Sequence, residues 1–448
     1  MRDRGSFRDP GNRVFDAPDA VYRALAADAV DDWRALAASP LAGDPRIVAT
    51  EELDDAPAPW AVLLRHERVP FVSYPYEWPF SLLKRAALLQ LDLLEEALGA
   101  GLILKDATPY NVQWQGAEPV FIDVGSFERY RDGSPWEGYR QFCELQLYPL
   151  MLTAWKDVPF QPWLRGALDG ISPAEMRNLL SLRDRFRRGV TTHVVLHASL
   201  ERRYADRAGE VKRELKRAGF KKELIVANAR GLRKLVDHLD WRGASEAWGD
   251  YTRTRTYSAD DAERKASFVR DAVRAHAPSL VWDLGCNDGT YAKIAAAEGA
   301  YVVATDADHA VLDRLARERN ERILPLVVDL ADPSPSLGWR GAERRHLPAR
   351  GKPDLTLALA LVHHLAITRN VPLAELLDWF ASLGSLVVEF VDPSDEMAQR
   401  LLAAKREGLH DDYTRDEFER LLGERFDVER TQELAGGRRV LYLAHPRP

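Results

Sequence analysis

Between Asp283 and Gly289 the chain reads Asp-Leu-Gly-Cys-Asn-Asp-Gly, a run in which side chains offer carboxylates and glycines offer backbone freedom. Gly285 permits a sharp turn that a side chain would obstruct, and Gly289 lets a helix start close to a bound molecule. Asp306 follows Gly285 by 21 residues. A carboxylate there, ending the next strand, can accept both hydroxyls of a ribose. Two cofactor chemistries compete for such a loop. A dinucleotide needs G-x-G-x-x-G, whose close backbone approach holds a pyrophosphate, and that spacing is missing. An acid stands two residues ahead of the first glycine instead. Asp283 would repel a pyrophosphate, but it suits the positive amino-acid end of S-adenosylmethionine. Each Asp or Gly taken alone could be an ordinary turn residue; the ordered set carries the reading.

Proton chemistry is on offer further along, in Leu361-Val-His-His-Leu365 and at Glu389. An imidazole titrates near neutrality, so His363 or His364 could take a proton from an acceptor hydroxyl as a methyl group moves. One of the pair should point into a site and the other away, and the sequence does not distinguish them; capping or packing is the alternative for either. Glu389, in LVVEFVDP, could orient a histidine, bind substrate hydroxyls, or form half of a buried ion pair. Asp392 reads as a cap before Pro393. Trp248-Gly-Asp-Tyr251, Tyr257-Ser258 and Lys265 precede the loop, where aromatic residues form a lid or simply pack. No D/N-P-P-Y and no nucleophilic cysteine motif stands near the fourth strand, which argues against methylation of an amide nitrogen and leaves amines open.

These residues need elements to position them. From about Trp248 onward strands and helices alternate: SLVWDLGC, YVVATDAD, ILPLVVDL, DLTLALAL and SLVVEFVD read as buried strands, with YAKIAAAEG, HAVLDRLARER and VPLAELLDWFASL as helices. Near-continuous apolar strands separated by helices imply a parallel sheet covered on both faces. FDVERTQEL and RRVLYLAHP, joined by AGG, should end it as an antiparallel hairpin. The first part of the chain, to about residue 150, is rich in Pro, Trp and Tyr, with strand-like pieces at Arg13–Phe15, Val21–Leu25 and Ala61–Leu64 and a long helix over Phe80–Leu98. Residues from about 150 to 245 read as helical, and the basic stretch from Glu201 to Arg242 as a solvated face joining two domains.

Composition bounds the rest. A chain of 448 residues, 46% hydrophobic and 29% charged, can bury large cores without a disulfide or metal staple. The net charge of -7 gives no broad nucleic-acid footprint. Cys143 and Cys286 lie far apart in the sequence, which suggests a reducing, cytoplasmic setting. MRDRGSFRDPGN has no apolar signal core, and Asp92, Glu95 and Glu96 interrupt the apolar run Leu82–Leu104, so no membrane span is expected.

The strand–loop–acid pattern resembles class I S-adenosylmethionine-dependent methyltransferases over roughly residues 248–445. The resemblance implies a Rossmann-like seven-stranded sheet. In it Asp283, Gly285 and Gly289 would surround the methionine moiety, with Asn287 in place of the usual central glycine, Asp306 on the ribose and Asp329 beside the adenine. The histidine pair would face the transferring methyl group. Residues 104–125, LKDATPYNVQWQGAEPVFIDVG, resemble the catalytic loop and metal-binding segment of protein-kinase-like and aminoglycoside-phosphotransferase-like folds. There Asp106 would orient a hydroxyl, while Asn111 and Asp123 would hold magnesium. Leu104 and Lys105 replace the usual His and Arg, GSFRDPG is at best a remnant of a glycine-rich loop, and Arg23 is the one substitute for a strand lysine. LKDATPYNVQW, FIDVGSFERY, PWEGYRQFCELQLYPLML, WGDY, LALVHHL and EFVDPSD, taken in order, look like bacterial nodulation-protein-related methyltransferases.

The expectation is therefore an α/β protein: a degenerate α+β kinase-like and helical domain over 1–245, then a methyltransferase domain over 246–448. Its acceptor would be a hydroxyl of a small molecule or carbohydrate. The alternatives are a bifunctional enzyme that also phosphorylates and a non-catalytic scaffold.

Overall fold

The computed structural model describes residues 5–199, 221–243 and 258–448. The Trp248–Tyr251 and Tyr257 aromatics, the division at 245/246 and the part 201–220 of the basic stretch lie outside the described residues.

Alternating side chains early in the chain build a four-stranded antiparallel sheet from β1 (Asn12–Asp16), β2 (Val21–Leu25), β3 (Thr50–Leu53) and β4 (Val62–His66). Its order is β1-β2-β4-β3, with helix α1 (Val30–Ala37) between β2 and β3. The sequence reading has no strand at β3, because TEEL lacks apolar alternation. It pairs only with β4, and acidic side chains suit an edge strand that must not recruit a further chain.

Helix α2 (Phe80–Gly99) follows, its leucines and alanines buried along most of its length. β5 (Leu102–Leu104) then pairs antiparallel with β8 (Phe127–Arg129), and between them β6 (Val112–Gln115) and β7 (Glu118–Phe121) form a hairpin. One short ladder thus ties both ends of the segment that carries Asp106, Asn111 and Asp123. Short helices occupy much of 139–179, and α3 (Lys222–His238) lies along α2, with Arg230 paired to Glu95 at 2.6 Å.

The last part begins with α4 (Ala259–His276), capped by Ser258, whose Oγ accepts the Asp261 N–H at 3.1 Å. Then come β9 (Leu280–Leu284), α5 (Thr290–Ala297), β10 (Tyr301–Asp306), α6 (His309–Arg317), β11 (Ile323–Val327), β12 (Leu355–Ala358), α7 (Leu373–Leu383) and β13 (Ser385–Val391). Two helices with no counterpart in the sequence reading, α8 (Glu396–Ala403) and α9 (Arg415–Arg425), precede the hairpin β14 (Phe426–Leu434) and β15 (Arg439–Pro446). The seven strands run in the order β11-β10-β9-β12-β13-β15-β14. β9 to β13 are parallel and β15 is antiparallel to both its neighbours. This is the Rossmann-like sheet expected from the sequence. Strand order reverses between β9 and β12, and ligands of open α/β sheets bind outside the strand ends at such a switch point.

The two parts share one apolar core. Phe71 meets Trp282 of β9 edge-on at 5.8 Å. Arg350 forks onto Glu77 at 2.5 and 2.7 Å, both side chains wholly buried, and lies over the rings of Phe71 and Tyr74. The Ser81 N–H, in the first turn of α2, donates to Asp313 of α6 at 2.6 Å. Gly116 (φ +58) sits against the Glu321 backbone, where a Cβ would come within 2.2 Å. No helix among the described residues is long and apolar enough to cross a membrane. Both cysteines are free and buried.

Candidate active site

The carboxyl end of β9 runs into a loop that only particular residues allow. Gly285 (φ +70), Asn287 (φ +49) and Gly289 (φ +72) all adopt left-handed backbone. Asparagine is among the few residues with a side chain that tolerate this region, so its replacement of glycine keeps the loop's shape. A Cβ on Gly289 would lie 2.8 Å from both Leu315 methyls, which fixes how closely α5 starts against α6. Cys286 is buried, and burial pushes its thiol well above the ordinary value.

Asp283 is buried at the end of β9, and one oxygen, Oδ2, has no hydrogen-bond partner. Burial pushes its carboxyl up to about 7, against the opposing pull of Lys265. Asp306 ends β10 and reaches the same loop: Oδ2 accepts the Asn287 N–H at 2.9 Å and Oδ1 the Asp308 N–H at 2.9 Å. A carboxylate has about four lone-pair positions, so two remain for a ligand's hydroxyls. Burial raises its pKa as well, with the amides opposing. Asp329 lies two residues beyond β11; one oxygen accepts the Ala331 N–H at 3.0 Å and the other pairs with Arg369, a partner the sequence reading lacks.

Across the switch point, β12 ends in a strained turn, with Ala360 at φ +52 just ahead of the histidines. The two imidazoles lie 4.2 Å apart but face different surroundings. His363 is buried, its Nδ1 without a partner. Burial and then His364 press its pKa down to about 3. His364 is exposed by surface area, although its ring is partly screened from solvent. Burial of its ring lowers its pKa, while the Asp306 carboxylate opposes the shift. The structure thereby separates a pair that the sequence left equivalent: His364 looks toward Asp306, and His363 toward the interior.

Glu389 lies in that interior. It is completely buried, with Lys265 Nζ 2.6 Å from Oε2 and Arg439 Nη1 3.3 Å from Oε1. Arg439 also forks onto Asp395 at 2.8 and 3.1 Å. Of the readings open for Glu389, this is the environment of an ion pair, and it touches the histidines only through the field it adds at His363. Lys265, Arg439 and Asp395 are the partners that reading left unnamed. The signal was available: a glutamate inside an apolar strand requires buried cations. Asp392 accepts the Ser394 N–H at 2.9 Å, a turn-capping role.

The N-terminal carboxylates also converge. Asn111 Nδ2 donates to Ser126 Oγ at 2.9 Å, and Ser126 Oγ donates to Asp123 Oδ2 at 2.7 Å and approaches Asp106 at 3.5 Å. Asp123 Oδ1 lies 2.7 Å from Arg23, which in turn donates to Asn12 at 2.9 Å. Burial would raise the Asp123 pKa, but Arg23 and Ser126 bring it below the usual range. Asp106 is raised, by burial first and then by Asp123. The segment before β1 folds over this group, with Asp9 3.3 Å from Lys105 and 2.6 Å from Asn12, and Arg8 bound to Glu343 of the C-terminal part at 2.6 Å. A small cavity beside Asp9, Asn12, Lys105 and Gly125 has room for waters.

No family model matches the chain. A curated relative, the nodulation protein NoeA of Rhizobium meliloti strain 1021, is 34% identical over 460 aligned positions, which cover 98% of this chain and 94% of the relative. This chain belongs to the NoeA nodulation-protein family. Among solved structures it is similar to the N-methyltransferase NodS from Bradyrhizobium japonicum WM9, at 13% identity and a TM-score of 0.31, over 42% of this chain and 99% of that one. It is also similar to the magnesium protoporphyrin IX methyltransferase ChlM from Synechocystis PCC 6803, solved with bound SAH, at 18% identity and a TM-score of 0.29, over 41% of this chain and 84% of that one.

Proposed function

We propose that the chain transfers a methyl group from S-adenosylmethionine to a hydroxyl of a small molecule or carbohydrate. The observation that carries this reading is the orphaned, buried oxygen of Asp283 at the switch point. Unpaired buried carboxylate oxygens are costly, and an ammonium group would satisfy this one. The residues present fit the cofactor: Asp283 and the Gly285–Gly289 turn for its amino-acid end, Asp306 for the ribose hydroxyls, and Asp329 with Arg369 bordering the base. When bound, the sulfonium supplies an already electrophilic methyl, so alignment is the main task left to the protein. His364 is the proton acceptor in this reading. With its pKa lowered it is neutral at physiological pH and free to take a proton. His363 and Glu389 act behind it, as packing and charge that hold the turn.

Residues 1–245 form, in this proposal, a kinase-like domain retained for structure or acceptor binding, and 246–448 the methyltransferase domain of a cytoplasmic enzyme. The β5–β8 ladder enclosing the β6–β7 hairpin supports the kinase-like reading. The Arg23–Asp123 pair favours a structural role over phosphoryl transfer, because the cation left to clamp phosphates is engaged. Calorimetry of the full chain with S-adenosylmethionine and S-adenosylhomocysteine tests the reading. Saturable uptake of one equivalent is expected; absence of uptake would leave a scaffold as the better account.

A further inference from the structure

At the end of the sheet opposite the proposed cofactor loop, three side chains of metal-ligating type converge. His276 ends α4, just ahead of β9; Glu429 lies in β14; and His445 lies near the end of the antiparallel β15. Their nearest ligand atoms all fall within 4.8 Å of one another. His445 Nε2 is 2.8 Å from Glu429 Oε2, and His276 Nε2 is 3.6 Å from the same oxygen. The two rings lie 5.0 Å apart.

Three features set this trio apart from a chance surface cluster. Glu429 is the extra residue of a β-bulge: Val428 pairs with Ala444 and Arg430 with Leu443, so Glu429 has no opposite number. Bulges re-aim side chains, often next to functional sites. His276 Nε2 is shut off from solvent and has no hydrogen-bond partner, although the His276 side chain as a whole is 27% exposed. The far nitrogen of His445, Nδ1, lies 3.0 Å from Ser385 Oγ at the start of β13. A hydroxyl can donate to that nitrogen or accept from it. It is therefore compatible with the tautomer in which Nε2 is bare, the one a metal-bound histidine needs, with Ser385 Oγ then accepting from Nδ1–H.

We propose that His276, Glu429 and His445 bind a first-row divalent cation of the Zn²⁺ class. Two imidazoles and one carboxylate suit zinc better than calcium or magnesium, which prefer oxygen donors. Tetrahedral zinc with bonds of about 2.0–2.2 Å spaces its ligand atoms by roughly 3.4 Å. The 3.6 Å separation already matches, and the 2.8 Å hydrogen bond opens by about half an ångström as the proton on His445 Nε2 passes to Nδ1. The fourth position is left for water. The ion ties α4 to the edge hairpin, far along the strands from Asp283, so its role is to staple the sheet's antiparallel edge.

The test is titration of the full, metal-stripped chain with Zn²⁺ in a calorimeter and with Co²⁺ in a spectrophotometer. One equivalent should bind, and Co²⁺ should show d–d bands of a four-coordinate N/O site without a thiolate charge-transfer band. His276→Ala and His445→Ala should each abolish the signal. Glu429→Gln, at a half-exposed position that leaves the fold intact, should weaken it. Ser385→Ala should lower the affinity about 10–100-fold, as loss of an outer-shell partner does. Absence of Zn²⁺ uptake by the wild type, or uptake unchanged in His276→Ala and Glu429→Gln, would overturn the proposal. None of these residues touches the cofactor loop, so failure here is distinguishable from failure of the methyltransferase reading.

Discussion

Two carboxylate groups in this chain are built oppositely. Around Asp123, Arg23 supplies the countercharge, Ser126 a hydroxyl, and the segment carrying Asp9 covers what is left. Around Asp283 the protein supplies Lys265 at a distance and leaves one buried oxygen bare, while Asp306 next to it keeps unused acceptor capacity. The first group carries its own countercharge, which suits a structural role, although Asp123 Oδ1 meets Arg23 as an ion pair without hydrogen-bond geometry. The second has no side-chain partner of its own at Asp283 Oδ2, and the proposed ammonium contact would supply one. The spacing of carboxylates is therefore a poor guide to activity until their partners are counted.

That contrast is open to a direct attack. Asp123→Ala removes the countercharge of Arg23, whose side chain is 8% exposed. Stranding a buried cation costs on the order of 3 kcal/mol. A fall in denaturant midpoint of that size is expected, with S-adenosylhomocysteine affinity unchanged at temperatures where the variant is folded. MgATP should give no thermal shift in the wild type. A clear MgATP shift that Asp123→Ala abolishes would restore the bifunctional alternative and erase the contrast.

Asp306→Ala probes the other side: losing the acceptor of the Asn287 and Asp308 N–H groups should cost some stability, and ligand binding should suffer more. Hydrogen bonds to a charged group contribute about 1.5–3 kcal/mol, so affinity for S-adenosylhomocysteine should drop about 10–100-fold by calorimetry. His364→Ala should leave that affinity within a few-fold and act on turnover instead. Equal affinity in the wild type and Asp306→Ala would contradict the ribose assignment.

Asp283 adds a pH signature of intermediate size. Its folded pKa is raised to about 7 by burial, whereas in the unfolded chain a carboxyl ionises near 4. The neutral form is favoured in the ligand-free fold, so this group's contribution to stability falls as pH rises from about 4 to 7. An ammonium ligand needs the ionised form. Affinity for S-adenosylhomocysteine should therefore rise with pH, by up to about tenfold per unit, and level off above about 7. Asp283→Asn should bind weakly and without that slope. A flat profile in the wild type would mean that the ligand's ammonium is not what meets Asp283.

The periodic strands from β9 to β13, the closing hairpin and the long helix α2 were legible because each buries a continuous apolar face that only one period explains. That Asp283, Gly285, Asn287, Gly289 and Asp306 lie close together was legible because the strand–loop–helix unit brings the ends of β9 and β10 to one loop. What stayed hidden depends on contacts across long sequence distances. Glu389 and Lys265 are 124 residues apart, and Arg23 and Asp123 face one another across two sheets; no local pattern reports such pairings. β3 was missed because an edge strand is kept polar. The surroundings of His363 and His364 differ, one buried and one exposed, just past the strained turn at Ala360, a backbone feature without a sequence signature.

The smallest effect concerns Asn287, where the loop departs from an all-glycine pattern. At φ +49 an alanine lacks the local hydrogen bonding that lets asparagine occupy left-handed backbone, and the strain amounts to about 1–2 kcal/mol. Glycine adopts this region freely, yet it gives the unfolded chain more entropy to lose. Asn287→Ala should therefore lower the melting temperature and weaken cofactor binding, because the strained residue donates its own N–H to Asp306. Asn287→Gly should differ from wild type by no more than about half a kcal/mol in stability. If alanine proved as benign as glycine, the loop would be soft enough to relax. The bare oxygen of Asp283 would then no longer mark a preformed cradle, and the two carboxylate groups would differ less than their geometry suggests.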